Sequence, residues 1–167
     1  MAFQIGDYIV KPVTGVCRIE AILDLKLSSA DQAKPYYLLI PLGGETGKLY
    51  VPVDHAEGAL RPALTEQEAR SLIQKAPNIQ EISIQDEHFR EHKYKEAVKS
   101  ADPEQLISLI KLTYLRNKKR SGQGKRSSSV DERYFKIAES NLYTELELAL
   151  NKSREEVCQM FAASAHR

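Results

Sequence analysis

Two histidines and a glutamate are the residues of this chain whose types and spacing most directly suggest chemistry. His88, Glu91 and His92 match H-x-x-E-H, the inverted zinc-peptidase signature, in which two histidines on one helical face bind zinc. A catalytic zinc helix is flanked by apolar residues, and it needs a third ligand that nothing here indicates. The neighbouring residues are charged instead: Asp86, Glu87, Arg90, Lys93 and Lys95. We therefore interpret the segment as a solvated helix and expect no metal and no cofactor.

Other catalytic patterns are missing from the sequence. The segment Gly122–Lys125 is not a Walker loop, because Lys119 stands where that motif needs a glycine and the segment follows a predicted helix. The glycines of Gly43–Gly47 lie between two predicted strands and indicate a hairpin turn. No G-x-S-x-G elbow is present. We therefore expect no enzyme.

The cysteines and the hydropathy pattern bear on the compartment. Cys17 and Cys158 lie far apart in the sequence, and no secretory signal or membrane-length apolar run is evident. Lone cysteines in such a chain are more often packing residues than a disulfide. We expect a protein of the reducing cytoplasm that does not enter a membrane.

Positive charge is concentrated in one stretch. The whole chain has a formal net charge of +1, but from His88 to Arg126 eleven lysines and arginines stand against four acidic residues. Between Lys111 and Arg126 there are seven bases and no acid. Bases are favourable at a helix C-terminus, so solvated charge is one explanation. The number exceeds what a helix end needs and favours a surface for nucleic acid, bound largely independently of base sequence.

The elements that carry these residues fall into two halves. The first 62 residues predict short strands joined by turns, and Phe3–Ile22 supplies the first two around a Pro/Gly turn. The predicted strands are Asp7–Lys11, Val16–Leu27, Pro35–Leu42, Lys48–Pro52 and Ala59–Arg61. Several short strands at this spacing predict a small antiparallel barrel of a kind that usually binds other macromolecules.

From residue 63 onward the period is helical, which makes the fold class α+β with domains 1–62 and 63–167. The five predicted helices are about Thr65–Ala76, His88–Ser100, Pro103–Arg120, Asp131–Asn151 and Ser153–Ser164. Capping boxes are predicted at Thr65–Glu68, Ser129–Glu132 and Ser153–Glu156, and an N-cap at Asp102. Two apolar stripes predict the helical core: Leu106, Leu109, Ile110 and Tyr114 on one helix, and Phe135, Ala138, Leu142, Leu146 and Ala149 on another.

The order of several small motifs resembles the CarD/CdnL family of bacterial transcription regulators. The resemblance is carried in the first half by Phe3, Gly6-Asp7, Val10, Pro12, Gly15-Val16, Tyr37, Val51-Pro52 and Leu60-Arg61. In the second half it is carried by Tyr94-Lys95, Arg116–Arg120, Asp131–Ala138 and Leu142–Leu146. The first half also resembles the polymerase-interacting module of the transcription-repair coupling factor, whose helicase motor a chain of 167 residues without a Walker loop cannot hold.

The resemblance implies a Tudor-like, SH3-like barrel that binds the RNA polymerase β subunit. It also implies a helical domain that contacts promoter DNA at the upstream edge of the bubble and modulates the stability of the open complex. The implied polymerase-binding residues are Leu25, Lys26, Lys48, Tyr50, Val51 and Pro52. Tyr50 and Val51 are equally consistent with packing inside the barrel. The DNA-binding residues are Arg90, Lys93, Lys95, Arg116, Lys119, Arg120, Lys125 and Arg126. We expect a monomer whose partners are polymerase and promoter DNA.

Two departures from the family pattern affect these expectations. Leu25 and Tyr50 stand where members commonly have arginine, so the polymerase contact is expected to be less electrostatic. Many members have a tryptophan that wedges into the minor groove, but this chain has no tryptophan, and Arg90 with Phe89 beside it stands there instead. The alternative function is an RNA-binding adaptor without polymerase docking. Against it, Tyr36 and Tyr37 are adjacent and must point to opposite faces of their strand.

Overall fold

A computed structural model describes residues 3–43 and 47–165 of the chain. The chain divides into two compact units, Met1–Ala63 and Leu64–Arg167. Strands are the main secondary structure of the first unit and α-helices that of the second, so the α+β fold class is confirmed.

The N-terminal unit contains one five-stranded antiparallel sheet. Its strands are β1 (Tyr8–Lys11), β2 (Gly15–Leu25), β3 (Lys34–Pro41), β4 (Leu49–Pro52) and β5 (Arg61–Pro62). They lie in the order β4-β3-β2-β1-β5, so β4 and β5 are the two edges and the sheet is not closed. The small antiparallel barrel predicted here is present as a five-stranded antiparallel sheet whose edges do not pair within the described residues. Its last strand has only two residues, which pair with Ile9 and Val10 of β1.

The strand predicted at Ala59–Arg61 is partly wrong. Ala59 ends a single helical turn, α1 (Ala56–Ala59), which the backbone N–H of Leu60 closes by donating to the carbonyl of Ala56. The β1–β2 turn is confirmed, with left-handed backbone at Val13 (φ 69°) and Gly15 (φ 90°). Most of the hairpin turn predicted at Gly43–Gly47 lies outside the described residues.

One face of the sheet carries the core of the N-terminal unit. Its buried residues come from four strands and from the segment around α1: Ile9, Cys17, Ile19, Tyr37, Leu39, Val51, Ala56 and Leu60. Cys17 is a packing residue, as predicted. The Tyr37 ring meets Phe3 edge-on at a centroid distance of 6.2 Å, and its hydroxyl donates to the Phe3 carbonyl at 3.0 Å.

Within residues 64–165, the described part of the C-terminal unit, there are five α-helices. They are α2 (Glu66–Lys75), α3 (Arg90–Ser100), α4 (Pro103–Gly122), α5 (Ser129–Leu150) and α6 (Arg154–Ala165). The capping boxes at Thr65–Glu68 and Ser153–Glu156 and the N-cap at Asp102 are confirmed. The capping box predicted at Ser129–Glu132 is wrong, because the N-cap of α5 is Ser128, whose hydroxyl accepts from the Asp131 N–H. Three consecutive serines, at positions 127–129, offer similar caps, so the sequence pattern alone does not distinguish among them.

Both predicted stripes contribute to the core of the helical unit, with two exceptions. Leu106, Leu109, Ala138, Leu142 and Leu146 are buried together, as predicted. Tyr114 is 59% exposed and Phe135 lies outside the buried cluster, so each prediction is wrong at one end of its stripe. Among the described residues, no helix combines the length and the apolar content needed to cross a bilayer.

Candidate functional site

Strand β4 leaves one side of its backbone without a strand partner among the described residues, since it pairs only with β3. Tyr50 lies opposite Leu38, and Val51 lies opposite Tyr37. Because side chains alternate along a strand, the two take opposite sides: Tyr50 is 48% exposed, whereas Val51 is buried in the sheet core. Of these two candidate polymerase contacts, only Tyr50 presents its side chain to a partner.

The other candidate contacts of this unit surround β3. Lys48 is exposed just before β4, Pro52 ends β4 half-buried, and Lys26 is exposed just after β2. Leu25 pairs with Lys34, two positions along β3 from the residue that pairs with Pro52. Leu25 and Pro52 therefore lie on opposite sides of β3 near the same end of the sheet. Sequence reasoning missed the exposed Ile22 and Leu23, which lie on β2 near Leu25.

A buried carboxylate in the helical unit forms ion pairs with two of the candidate DNA-binding arginines. Asp131 of α5 is 2% exposed. Its carboxylate accepts from the Tyr94 hydroxyl at 2.8 Å and from Arg116 Nε at 2.9 Å, and Arg90 Nε lies 3.5 Å away. Glu87 adds a carboxylate oxygen 3.1 Å from each guanidinium. Arg90 and Arg116 therefore link three helices, and their contact with DNA stays a prediction.

The same network shifts two pKa values. Burial, reinforced by the hydrogen bond to Asp131, raises the pKa of the Tyr94 hydroxyl well above its ordinary value of 10. Burial opposes the charge of Arg116, but the hydrogen bond and charge of Asp131 outweigh that effect and raise its pKa. The Asp131 carboxylate is thus surrounded by the neutral phenol of Tyr94 and by the guanidiniums of Arg90 and Arg116, which Glu87 also contacts.

The remaining basic residues divide by what their side chains contact. Lys111 donates to the carbonyls of Ala76 and Ile79, so it too is structural. Arg120 is half-buried and donates to the Arg126 carbonyl at 2.8 Å. Five candidates are exposed and form no ion pair within the described residues: Lys93, Lys95, Lys119, Lys125 and Arg126. These five keep their charge available to a polyanion.

The residues of the H-x-x-E-H motif do not converge on one point, and two of them interact with different side chains. The Glu91 carboxylate accepts from Arg133 at 2.7 Å, and His92 Nε2 lies 2.9 Å from Glu96. His88 belongs to a 3₁₀ turn, Glu87–Phe89, that precedes α3. No group of three histidine, cysteine or acidic residues that could hold a metal occurs within 3–43 and 47–165.

Phe89 and Arg90 stand where many members of the family that this chain resembles have a tryptophan. The Phe89 side chain is exposed, whereas the Arg90 side chain is engaged in ion pairs. Phe89, at the N-cap of α3, is 59% exposed. Only 19% of the Arg90 side chain is exposed, because the ion pairs hold it against Asp131 and Glu87. Phe89 is therefore the side chain that is free to meet a ligand.

Comparison with known families bears on the N-terminal unit. Residues 3–64 match the family model of the CarD-like/TRCF RID domain. This family is an RNA polymerase β-interacting domain, a binding module rather than a catalytic one. The match supports the resemblance to CarD/CdnL proteins for the sheet, and it does not extend into the helical unit. A search of curated proteins found no match.

We predict that Asp131→Asn lowers the free energy of unfolding by about 3 kcal/mol, because it removes the buried counter-charge of two partly buried guanidiniums and leaves them only the exposed carboxylate of Glu87. Glu132→Gln is the matched control on the same helix. Its carboxylate is 54% exposed and pairs only with Lys136, so we expect a loss below about 1 kcal/mol. Urea unfolding followed by circular dichroism measures both. Equal losses would show that Asp131 does not hold the helices.

The raised pKa of Tyr94 predicts a loss of stability at high pH. In the unfolded chain this phenol ionises near pH 10, while the folded protein keeps the proton, so stability is intact below about pH 10 and falls above it. The expected contribution is about 1.4 kcal/mol per pH unit. Urea unfolding at about pH 8 and about pH 11 should show a smaller fall for Tyr94→Phe than for the wild type. The exposed Tyr114→Phe is the control, and a fall unaffected by Tyr94→Phe would contradict this assignment.

Proposed function

We propose that this chain is a transcription regulator that docks on the RNA polymerase β subunit through its N-terminal unit. Its helical unit contacts promoter DNA at the upstream edge of the bubble and alters the stability of the open complex. The observation that carries the proposal is the RID-domain match over residues 3–64, together with the unpaired edge of β4.

The edge of β4 suits addition of a strand from the partner. Main-chain hydrogen bonds along such an edge supply affinity, and the side chains that alternate outward supply specificity. Tyr50 offers a half-exposed aromatic ring and Lys48 a charge at the start of the strand. With a tyrosine at this position the contact depends less on charge than an arginine contact would.

The basic residues of the helical unit are exposed, and they do not form a surface shaped to recognise particular bases. Lys93 and Lys95 lie on α3, Lys119 on α4, and Lys125 and Arg126 in the segment that follows. Such contacts give sequence-independent affinity that falls steeply with salt. Weak affinity suffices here, because docking on polymerase makes the DNA contact effectively intramolecular. Phe89 lies beside this charge and is the apolar side chain available to press against a base step.

We predict that Tyr50→Ala weakens binding to the polymerase β subunit about tenfold, as expected for an exposed aromatic anchor at an interface. Affinity is measured with immobilised β subunit, and circular dichroism checks that the helices are intact. Tyr8→Ala is the matched control, since Tyr8 is a 39% exposed tyrosine on β1. Val51 is no substitute, because its side chain is buried in the core. Unchanged affinity for Tyr50→Ala would reject β4 as the docking edge.

We predict that Lys95→Gln with Lys119→Gln weakens promoter-DNA binding and makes the slope of log affinity against log salt shallower by about 1.8. With cognate polymerase, the same double variant should change the open-complex lifetime less than the wild-type protein does. The control is Lys75→Gln with Lys152→Gln, which removes the same charge from lysines already paired with Glu104 and Glu156. Equal slopes for the two double variants would argue against the basic surface.

A further inference from the structure

A groove between α4 and α5 has a lining that neither the polymerase contact nor the phosphate contacts use. Its volume is about 300 Å³. Two aromatic residues line it, Tyr114 from α4 and Phe135 from α5, together with the amide of Asn117 and the hydroxyl of Ser127. Both aromatic residues belong to stripes that predict core packing, yet Tyr114 is 59% exposed and Phe135 is half-buried.

Each acidic residue of the groove has a basic side chain within 4 Å. Asp131 is bound by Arg116, Glu132 lies 3.7 Å from Lys136, and Glu139 lies 3.7 Å from Arg154. The Thr113 hydroxyl donates within its own helix to the carbonyl of Leu109. Asn117 is exposed, and its side-chain amide makes no hydrogen bond to the described part of the chain, so the amide is available to a ligand.

Three cationic residues lie close along the chain to residues that line the groove. Lys118 follows Tyr114 by one helical turn on α4 and is exposed. Lys125 and Arg126 immediately precede Ser127, which is part of the lining, and the Arg120 guanidinium holds the Arg126 carbonyl at 2.8 Å. An aromatic surface with an amide donor and acceptor therefore has cations close to it along the chain that could hold a phosphate backbone.

We propose that this groove binds an unpaired nucleobase of single-stranded DNA. The base stacks on Tyr114 and Phe135, the Asn117 amide bonds to its edge, and Lys118, Lys125 and Arg126 contact the adjoining phosphates. Stacking on aromatic side chains beside a cationic track is the physical basis of single-strand binding, and it tolerates any base. The internal bases of a duplex cannot use the groove, because both of their faces are covered by neighbouring bases.

The inference deepens the proposed function, because melted promoter DNA would supply the unpaired base. It gives the helical unit a preference for melted over paired DNA that exposed lysines alone do not provide. It requires neither the β4 edge nor polymerase, so it can be tested on the full chain alone.

The test compares binding of a fluorescent oligo-dT of about ten nucleotides with binding of a duplex of the same length. Tyr114→Ala should weaken single-strand binding by between about fivefold and about a hundredfold, with duplex binding unchanged. Tyr114→Phe keeps the ring and should bind as the wild type does. The matched control is Leu115→Ala, which removes a 48% exposed side chain that neighbours Tyr114 but does not line the groove.

Three results would overturn the inference. One is unchanged oligo-dT binding by Tyr114→Ala, and another is an equal loss on single strand and duplex. The third is tighter binding of oligo-U than of oligo-dT, which would assign the groove to RNA.

If the Tyr114 variant has no effect while the Tyr50 and lysine variants behave as expected, the groove assignment fails and the proposed function stands. If the Tyr50 variant has no effect while Tyr114→Ala loses oligo-dT, the polymerase docking fails and the groove stands.

Discussion

The carboxylate of Asp131 is the constraint on which the arrangement of the helical unit depends. It is 2% exposed and it belongs to α5, while its donors come from α3 and α4. A buried carboxylate is costly unless donors surround it, so the three helices must keep the spacing that brings Tyr94 and Arg116 to it. Asp131 lies in the first turn of α5, and its backbone N–H, independently of the carboxylate, donates to the Ser128 hydroxyl that caps this helix.

This network changes what the positive stretch of the chain means. Counted along the sequence, Arg90 and Arg116 belong to a basic surface, but in the fold they neutralise Asp131 and Glu87. Lys111 is likewise used to bind two carbonyls. The charge left for a polyanion lies at Lys93 and Lys95 on α3 and around the end of α4. It is therefore smaller and more localised than the net charge of residues 88–126 indicates.

Local patterns predicted much of the fold, and long-range partners explain the rest. Caps and helical periods depend on residues within one or two turns, so Thr65–Glu68 and the Leu106–Leu109 stripe could be located from sequence alone. Whether Tyr114 is covered depends on which helix lies opposite, and whether Arg116 is free depends on a carboxylate fifteen positions away. The open sheet depends on β5 being too short to continue the pairing. Tyr50 and Val51 could not be separated by type, because strand register alone decides which of them faces the core.

The chemistry of the helical unit also limits how it could act on transcription. A ligand shifts an equilibrium only by the difference between its affinities for the two states. Lysines that contact phosphates are attracted to paired DNA at least as strongly as to melted DNA, because the duplex has the higher charge density, so phosphate contacts alone do not favour the open complex. A side chain that needs an exposed base face, such as Tyr114 in the α4–α5 groove or Phe89 at the start of α3, can supply that difference. A tenfold preference for melted DNA corresponds to about 1.4 kcal/mol, which is within the range of one stacked base. The aromatic residues, rather than the more numerous lysines, would therefore determine whether the open complex is stabilised.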